Sequence, residues 1–253
     1  DGEKFTGTTI LFGIFLASMT LGTILMFFLH KSDGTEECLP KPSTDIFSSA
    51  KSLMESAVAP LLDKRMLLII PLLAYSGLQQ AYVWSEFTKH IITPAIGVSG
   101  VGGAMAIYGA SDAVCSLIAG RLTSGLSSIT LIVSGGAFLQ TLILLWLLLK
   151  YSLTSGVLGY LYPLLMAAVW GIGDGVFNTQ LNALLGMLFR RNTEAAFAQL
   201  KVWQSASTSL VFFLSPHITF QAMSVGMIIT LLVSVSSFLF LTLHVENSFA
   251  RGS

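Results

Sequence analysis

The chain has 253 residues, of which 53% are apolar and only 10% are charged, and its mean hydropathy is +0.77. Soluble domains carry about 25% charged residues, so this composition excludes a soluble globular protein and indicates an integral membrane protein. Lysine plus arginine equals aspartate plus glutamate, at 13 each, which gives no electrostatic basis for binding nucleic acid. The lipid bilayer is therefore the first predicted partner.

Apolar segments long enough to span a membrane recur along the chain when hydropathy is averaged over about 19 residues. The seven predicted spans are 8–29, 66–87, 98–122, 129–149, 157–188, 202–216 and 222–243. The stretch 190–199, which lies between the fifth and sixth spans, is predicted to be a loop with an amphipathic turn.

These spans predict four parts of the chain. They are a first helix at 1–30, a polar cytoplasmic connection at 31–65, a six-helix region at 66–245 and a cytoplasmic tail at 246–253. Within the connection, 43–62 is a candidate for a short interfacial helix. Because the chain begins with Asp1 and not with Met, we expect it to be a piece of something longer.

The distribution of basic residues predicts the orientation of the spans. If the connection 31–65 is cytoplasmic, Lys4, Lys89 and Lys150 lie outside. The ten basic residues then inside are Lys31, Lys41, Lys51, Lys64, Arg65, Arg121, Arg190, Arg191, Lys201 and Arg251. Cytoplasmic loops carry an excess of Lys and Arg, so we expect the N-terminus outside and the C-terminus in the cytoplasm.

Seven spans in this orientation also describe a G-protein-coupled receptor, but the long first loop and the lack of an extracellular cysteine disfavour that class. A grouping of spans two to four and five to seven into triplets of opposite orientation explains more. Spans two and five each open with Pro-Leu-Leu, at Pro71 and Pro163, and continue through Gly77 and Gly171 into polar residues. Matching interrupted helices in inverted repeats are typical of transporter-like bundles with a central cavity.

The inner part of span five carries an unusual run of polar residues. Asp174, Asn178 and Asn182 are spaced four apart, so they share one face of a helix. Such side chains are expensive against lipid and need a polar cavity, a partner helix or water. Gly171 and Gly175, with Gly173 between them, predict a backbone that can be approached closely or can unwind.

Span two carries a second stripe, formed at helical spacing by Tyr75, Gln79, Tyr82 and Glu86. One interpretation is that these side chains line a cavity that faces span five. The alternative is that Glu86 is solvated near the outer end and that the tyrosines are interfacial anchors.

Asp112 lies midway along span three without a Lys or Arg at its depth. Two interpretations remain open: a hydrogen bond that fixes helix packing, and a carboxylate linked to protons or cations. No GxSxG, HExxH or P-loop motif occurs, and the four histidines sit at span ends. We therefore predict no catalytic residues, no metal site, no cofactor and no enzymatic activity.

Three stretches resemble the uncoordinated-ninety-three family, most closely its plant members. They are YSGLQQAYVWSEFTK at 75–89, GDGVFNTQLNALLG at 173–186 and AFAQLKVWQS at 196–205. The family is related to the major facilitator superfamily, and the resemblance covers essentially the whole chain. It implies twelve spans in two halves, of which this chain would hold the last helix of the N-terminal half and the whole C-terminal half. The missing N-terminal half is then an implied partner, and spans two and five here would line the central cavity.

The resemblance also implies a function. Animal members are known as regulators of potassium channels or as escorts of receptors, and plant members are linked to potassium balance and stress. One departure matters, because the superfamily's signature loop carries an aspartate where this chain has Ser124. We therefore expect a transporter-shaped regulator or escort of an ion channel or other membrane protein. The alternative is a secondary carrier that uses Asp112, Asp174 and Glu86 for proton or cation coupling.

Overall fold

The computed structural model describes residues 2–27, 61, 63–150, 157–190 and 192–250, and almost all of them are helical. Its helices are α1 (Gly2–Phe27), α2 (Lys64–Tyr82), α3 (Thr93–Leu122), α4 (Leu126–Lys150), α5 (Val157–Leu188), α6 (Thr193–Leu214) and α7 (Phe220–Ala250). A π-helical segment, Val83–Ile92, joins α2 to α3. Cys38 and most of the candidate interfacial helix at 43–62 lie outside the described residues.

Residues 1–49 and residues 50–253 are separate compact units. Among the described residues of the first unit, α1 includes a short apolar stretch, Phe12–Leu25. The second unit contains α2 to α7. By length and composition four of the described helical stretches could cross a membrane: Lys64–Leu122, Leu126–Leu149, Gly159–Leu188 and Phe220–Leu243. The chain is therefore an all-helical, multi-pass membrane protein.

The first of these stretches is 59 residues long, whereas about 20 residues are enough for one crossing. It bends at Gly97, which has φ 76° and ψ 169°, a conformation that only glycine adopts readily. The bend separates the predicted second and third spans, although the helix continues well past the predicted end of span two.

Two predicted boundaries differ from the structure. Helix α6 begins at Thr193, so the interpretation of 190–199 as a loop is wrong for most of that stretch. Glu194, Gln199 and Lys201 lowered the hydropathy there, but they did not interrupt the helix. At the other end, α7 continues to Ala250, so the predicted tail 246–253 begins within a helix.

Helix α2 runs through Pro71 without interruption, and two hydroxyls of α7 bond to carbonyl groups at and near this proline. Proline removes a backbone hydrogen bond from the helix interior. The Ser234 hydroxyl donates to the Pro71 carbonyl over 2.7 Å, and the Ser237 hydroxyl donates to the Leu68 carbonyl over 2.8 Å. Side-chain hydroxyls on a neighbouring helix are a common way to tolerate proline in a membrane helix.

The helices pack in a pattern that exchanges partners between the two predicted triplets. Helix α5 packs most extensively against α3 and then against α4, while α2 packs against α6 and α7. The first helix of each triplet therefore packs mainly on the second and third helices of the other triplet. This arrangement puts α2, α3, α5 and α6 around one polar layer.

Candidate functional site

Glycine residues bring α5 into direct contact with the backbone of α3. A Cβ atom on Gly171 would lie 2.1 Å from the carbonyl oxygen of Tyr108, and one on Gly175 would lie 2.7 Å from that of Asp112. No side chain fits at these separations. Because α5 is continuous here, these glycines permit close approach and do not unwind the helix.

Gly77 plays the equivalent part in the other triplet. A Cβ atom on this residue of α2 would lie 2.4 Å from the carbonyl oxygen of Gln204 in α6. The hydroxyl of Thr208 in α6 also donates to the Gly77 carbonyl over 3.2 Å. The contacts of α3 with α5 and of α2 with α6 are therefore both built on glycine.

Asp174 lies between these two contacts and is only 2% exposed. Its carboxylate accepts hydrogen bonds from side chains on three helices. The Tyr108 hydroxyl in α3 donates to Oδ2, and the Asn178 amide in α5 donates to Oδ1 over 2.8 Å. The Gln80 amide in α2 lies 3.3 Å from both oxygens. We call Gln80, Tyr108, Asp174, Asn178 and Gln204 the Asp174 cluster.

Gln204 connects α6 to this cluster. Its Nε2 atom donates to Asn178 Oδ1 over 3.1 Å and to the Ser76 hydroxyl over 2.9 Å. All four helices of the polar layer are thus joined through neutral hydrogen-bonding groups around one carboxylate. A buried carboxylate that is satisfied in this way fixes the relative positions of the helices that supply its donors.

The other two predicted members of the polar face lie apart from these hydrogen bonds. Asn182 is exposed on the surface of this chain, two turns beyond Asp174. Asp112 is half-buried, and its Oδ1 accepts from the Ser116 hydroxyl over 3.2 Å. Asp112 packs against Gly175, so it lies next to the Asp174 cluster without bonding to it.

The stripe on α2 is buried completely and contacts several different helices. The Tyr75 hydroxyl donates to Gln140 Oε1 in α4, and Gln79 Nε2 lies 3.4 Å from the Trp170 carbonyl oxygen in α5. Tyr82 is joined to Ser224 in α7 by a hydrogen bond of 2.7 Å. These side chains share a face of α2, but among the described residues they lie in helix contacts and not on an open surface.

Glu86, the last member of the stripe, lies in the π-helical segment and is fully buried. Its Oε1 accepts from the Ser215 hydroxyl at the end of α6. Its Oε2 lies 3.3 Å from Nε2 of His90, an ion-pair distance that lacks hydrogen-bond geometry. Thr88 and Thr93 donate to carbonyl oxygens five residues earlier, which supports the wider π-helical turn.

Three members of the Asp174 cluster, Gln80, Tyr108 and Gln204, are not among the residues that the sequence predicts for the cavity. Gln80 and Gln204 appear there only as letters of the family motifs at 75–89 and 196–205. The available signal was that each is polar within a largely apolar helix. Which of them meet depends on how the helices rotate against one another, which spacing along one helix does not give.

The part of the chain that the structure describes contains no group of three or more His, Cys, Asp or Glu residues arranged to hold a metal ion. The donors around Asp174 are phenol and amide groups. The arrangement can stabilise a buried carboxylate by hydrogen bonding, and it can couple the positions of four helices.

Comparison with known proteins identifies the family. The sequence model of the family described as "Ion channel regulatory protein UNC-93" matches residues 4–239. UNC93-like protein 3 from Arabidopsis thaliana is 62% identical over all of this chain, which covers 55% of that relative. Protein unc-93 homolog A from Xenopus laevis is 31% identical over 93% of this chain and 51% of its own length.

The Caenorhabditis elegans protein unc-93, whose name proposes a potassium channel regulatory role, is 31% identical over 71% of this chain and 25% of its own length. The chain therefore spans about half the length of the first two relatives. No solved structure matches it. The resemblance carried by the three sequence motifs is confirmed along nearly the whole chain, and the chain belongs to the UNC-93 family of ion channel regulatory proteins.

Proposed function

We propose that this chain forms part of a transporter-shaped membrane protein that regulates or escorts an ion channel or another membrane protein. It contributes the six-helix C-terminal half of a major-facilitator-like bundle together with one preceding helix. The family description and the name of the nematode relative support a channel as the partner and potassium homeostasis as the setting. The role is not enzymatic.

One observation carries the choice of a regulator over a carrier. Among the described residues, the Asp174 carboxylate accepts four hydrogen bonds, and they come from side chains on α2, α3 and α5. A carrier must exchange such bonds with its substrate or coupling ion during each cycle. The glycine contacts at Gly77 and Gly171 further oppose sliding of these helices, because backbone atoms meet there directly.

The alternative is a proton- or cation-coupled carrier, and one observation favours it. Asp112 is half-buried beside the cluster, and its carboxylate accepts from Ser116 alone among its described partners. A carboxylate in that position is able to take up a proton or a cation. In this reading Asp112, Asp174 and Glu86 would share the coupling.

We further propose that the N-terminus of this chain is outside and its C-terminus is in the cytoplasm, as the basic residues predict. Cys38 would then be cytoplasmic, and an impermeant thiol reagent applied to intact cells would not label it. Labelling without permeabilisation would contradict this orientation. In a variant of the full-length protein that lacks every other cysteine, including Cys115, Cys38 is the single target.

Reconstitution of the full-length protein in liposomes tests the function itself. Potassium and proton fluxes are measured with and without a co-reconstituted potassium channel. We expect no flux from the protein alone and an altered channel current. Saturable flux from the protein alone, which Asp174→Asn abolishes, would establish the carrier and exclude the regulator.

A further inference from the structure

A continuous chain of hydrogen bonds connects the buried Asp174 to an exposed lysine. Lys201 Nζ in α6 donates to Gln204 Oε1 over 3.2 Å. Gln204 Nε2 donates to Asn178 Oδ1 over 3.1 Å, and Asn178 Nδ2 donates to Asp174 Oδ1 over 2.8 Å. The Lys201 ammonium and the Asp174 carboxylate are therefore connected by hydrogen bonds through two amides that lie on different helices.

The chemistry of the two ends determines the orientation of both amides. An ammonium group can only donate hydrogen bonds, and an ionised carboxylate can only accept them. The Gln204 oxygen must therefore face Lys201, and the Asn178 nitrogen must face Asp174. With these ends fixed, each amide dipole points the same way, from the cation to the anion.

We propose that Lys201 is the counter-charge of Asp174 and acts on it through Gln204 and Asn178 as a positioning residue. Aligned hydrogen bonds polarise one another, and the effect is strongest where the local dielectric constant is low. Gln204 is 8% exposed and Asp174 is 2% exposed, so both of these side chains lie in a region of low dielectric constant. This proposal does not depend on whether the protein regulates a channel or transports a solute.

The proposal explains two features that the Asp174 cluster alone does not. Helix α5 contains no Lys or Arg, and the donors in direct contact with the carboxylate are neutral. The relay supplies a cation without burying it, because Lys201 itself is exposed. It also gives α6 a charged link to α5, in addition to the glycine contact that joins α6 to α2.

A double-mutant cycle on the full-length protein in detergent tests the relay by the midpoint of thermal unfolding. We expect Lys201→Met to lower the midpoint by about 1 °C, a shift that corresponds to roughly 1 kcal/mol in a full-length protein about twice as long as this chain. In an Asp174→Asn background the same change should lower it by less than about 0.5 °C, because the charge at the far end is gone. The matched control is Lys64→Met, an exposed lysine at the start of α2, which should be additive with Asp174→Asn.

The Asn178→Ala variant separates the relay from direct attraction through space. It breaks the middle of the chain and leaves both charges and the Lys201–Gln204 contact in place. We expect the coupling between positions 201 and 174 to disappear in this background. Coupling that persists, or an effect of Lys201→Met that is the same with Asp and Asn at position 174, would overturn the proposal.

Chemical modification after folding gives a second measurement that does not require the double variants to fold. Lys201→Cys is prepared in a background that lacks every other cysteine, including Cys38 and Cys115, and is treated with either an aminoethyl or a methyl methanethiosulfonate. The aminoethyl reagent restores an ammonium at position 201 and should raise the unfolding midpoint by about 1 °C. Equal effects of the charged and neutral reagents would overturn the role of the charge.

Discussion

Two buried carboxylates of this bundle, Asp174 and Glu86, are held in different ways. Asp174 lies in a regular α-helix and takes its hydrogen bonds from side chains on three helices. Glu86 lies in a π-helical segment, where His90 of the same segment lies 3.3 Å from its carboxylate and, among the described residues, the Ser215 hydroxyl connects it to α6.

The comparison indicates which of these contacts fixes the helices relative to one another. Loss of the Asp174 carboxylate leaves donors on α2, α3 and α5 without an acceptor. Loss of the Glu86 carboxylate affects mainly its own segment and the end of α6. We therefore expect equivalent substitutions at Asp174 and Glu86 to lower the stability of the protein by different amounts. Thermal unfolding of full-length variants measures these losses.

The largest effect is expected for Asp174→Leu. The Tyr108 hydroxyl and the Gln80 and Asn178 amides would be left buried without an acceptor, which costs about 3–5 kcal/mol in total. The control is Asp174→Asn, whose oxygen still accepts and which should cost about 1–2 kcal/mol. If the leucine variant unfolds at the wild-type temperature, the donors around Asp174 do not depend on it.

A smaller loss is expected when a side chain is forced into the glycine contact beside Asp174. Gly171→Ala places a Cβ atom 2.1 Å from the Tyr108 carbonyl oxygen, so α3 and α5 must separate. Overpacking of this kind costs about 1–3 kcal/mol. Gly186→Ala is the matched control in the same helix, because a Cβ atom there meets nothing within 4 Å. Equal unfolding temperatures for the two variants would show that the close contact is not required.

At the other carboxylate, Glu86→Leu should cost less than Asp174→Leu, about 1–2 kcal/mol, because only Ser215 and His90 lose a partner. Glu86→Gln retains an acceptor for Ser215 and should fall between leucine and the wild type. A loss at Glu86 that equals the loss at Asp174 would remove the distinction between the two sites.

The smallest effect is expected at the link between α5 and the connection that follows α3. Thr123→Val removes the hydrogen bond of 2.9 Å from Gln180 Nε2 to the threonine hydroxyl and should cost about 1 kcal/mol. Thr141→Val is the control, because its hydroxyl bonds only to the Ala137 carbonyl of its own helix. A loss for Thr123→Val no larger than the control would mean that Gln180 finds another partner.

The sequence predicts the helices of this protein much better than it predicts their contacts. Hydropathy located six helices of the second unit because long apolar runs have few alternatives in a bilayer. It placed the start of α6 too late, because Glu194 and Lys201 lower the local average although helix geometry tolerates them. The π-helical segment leaves no mark in hydropathy, since it changes the turn and not the composition.

At the site, too, the sequence predicts which residues share a helix face better than it predicts which residues are in contact. Helical spacing puts Tyr75, Gln79 and Tyr82 on one face of α2, but these side chains bond to α4, α5 and α7 respectively. A helix surrounded by neighbours gives each turn of one stripe a different partner. The sequence also does not predict that Lys201 is a partner of Asp174, because two amides from different helices lie between them.

The exchange of packing partners between the triplets affects how the chain is made. Ser76 of α2 bonds to Gln204 of α6, which is synthesised 128 residues later. At about 5–20 residues per second, α2 waits roughly 6–25 s after synthesis before its partner exists. During that time the Ser76 hydroxyl lacks its bond from Gln204, whereas Gln79 and Gln80 gain their acceptors earlier, when Trp170 and Asp174 of α5 are made. A ribosome that stalls before α6 would leave a first triplet that is inserted but unable to assemble, which is a natural substrate for membrane quality control.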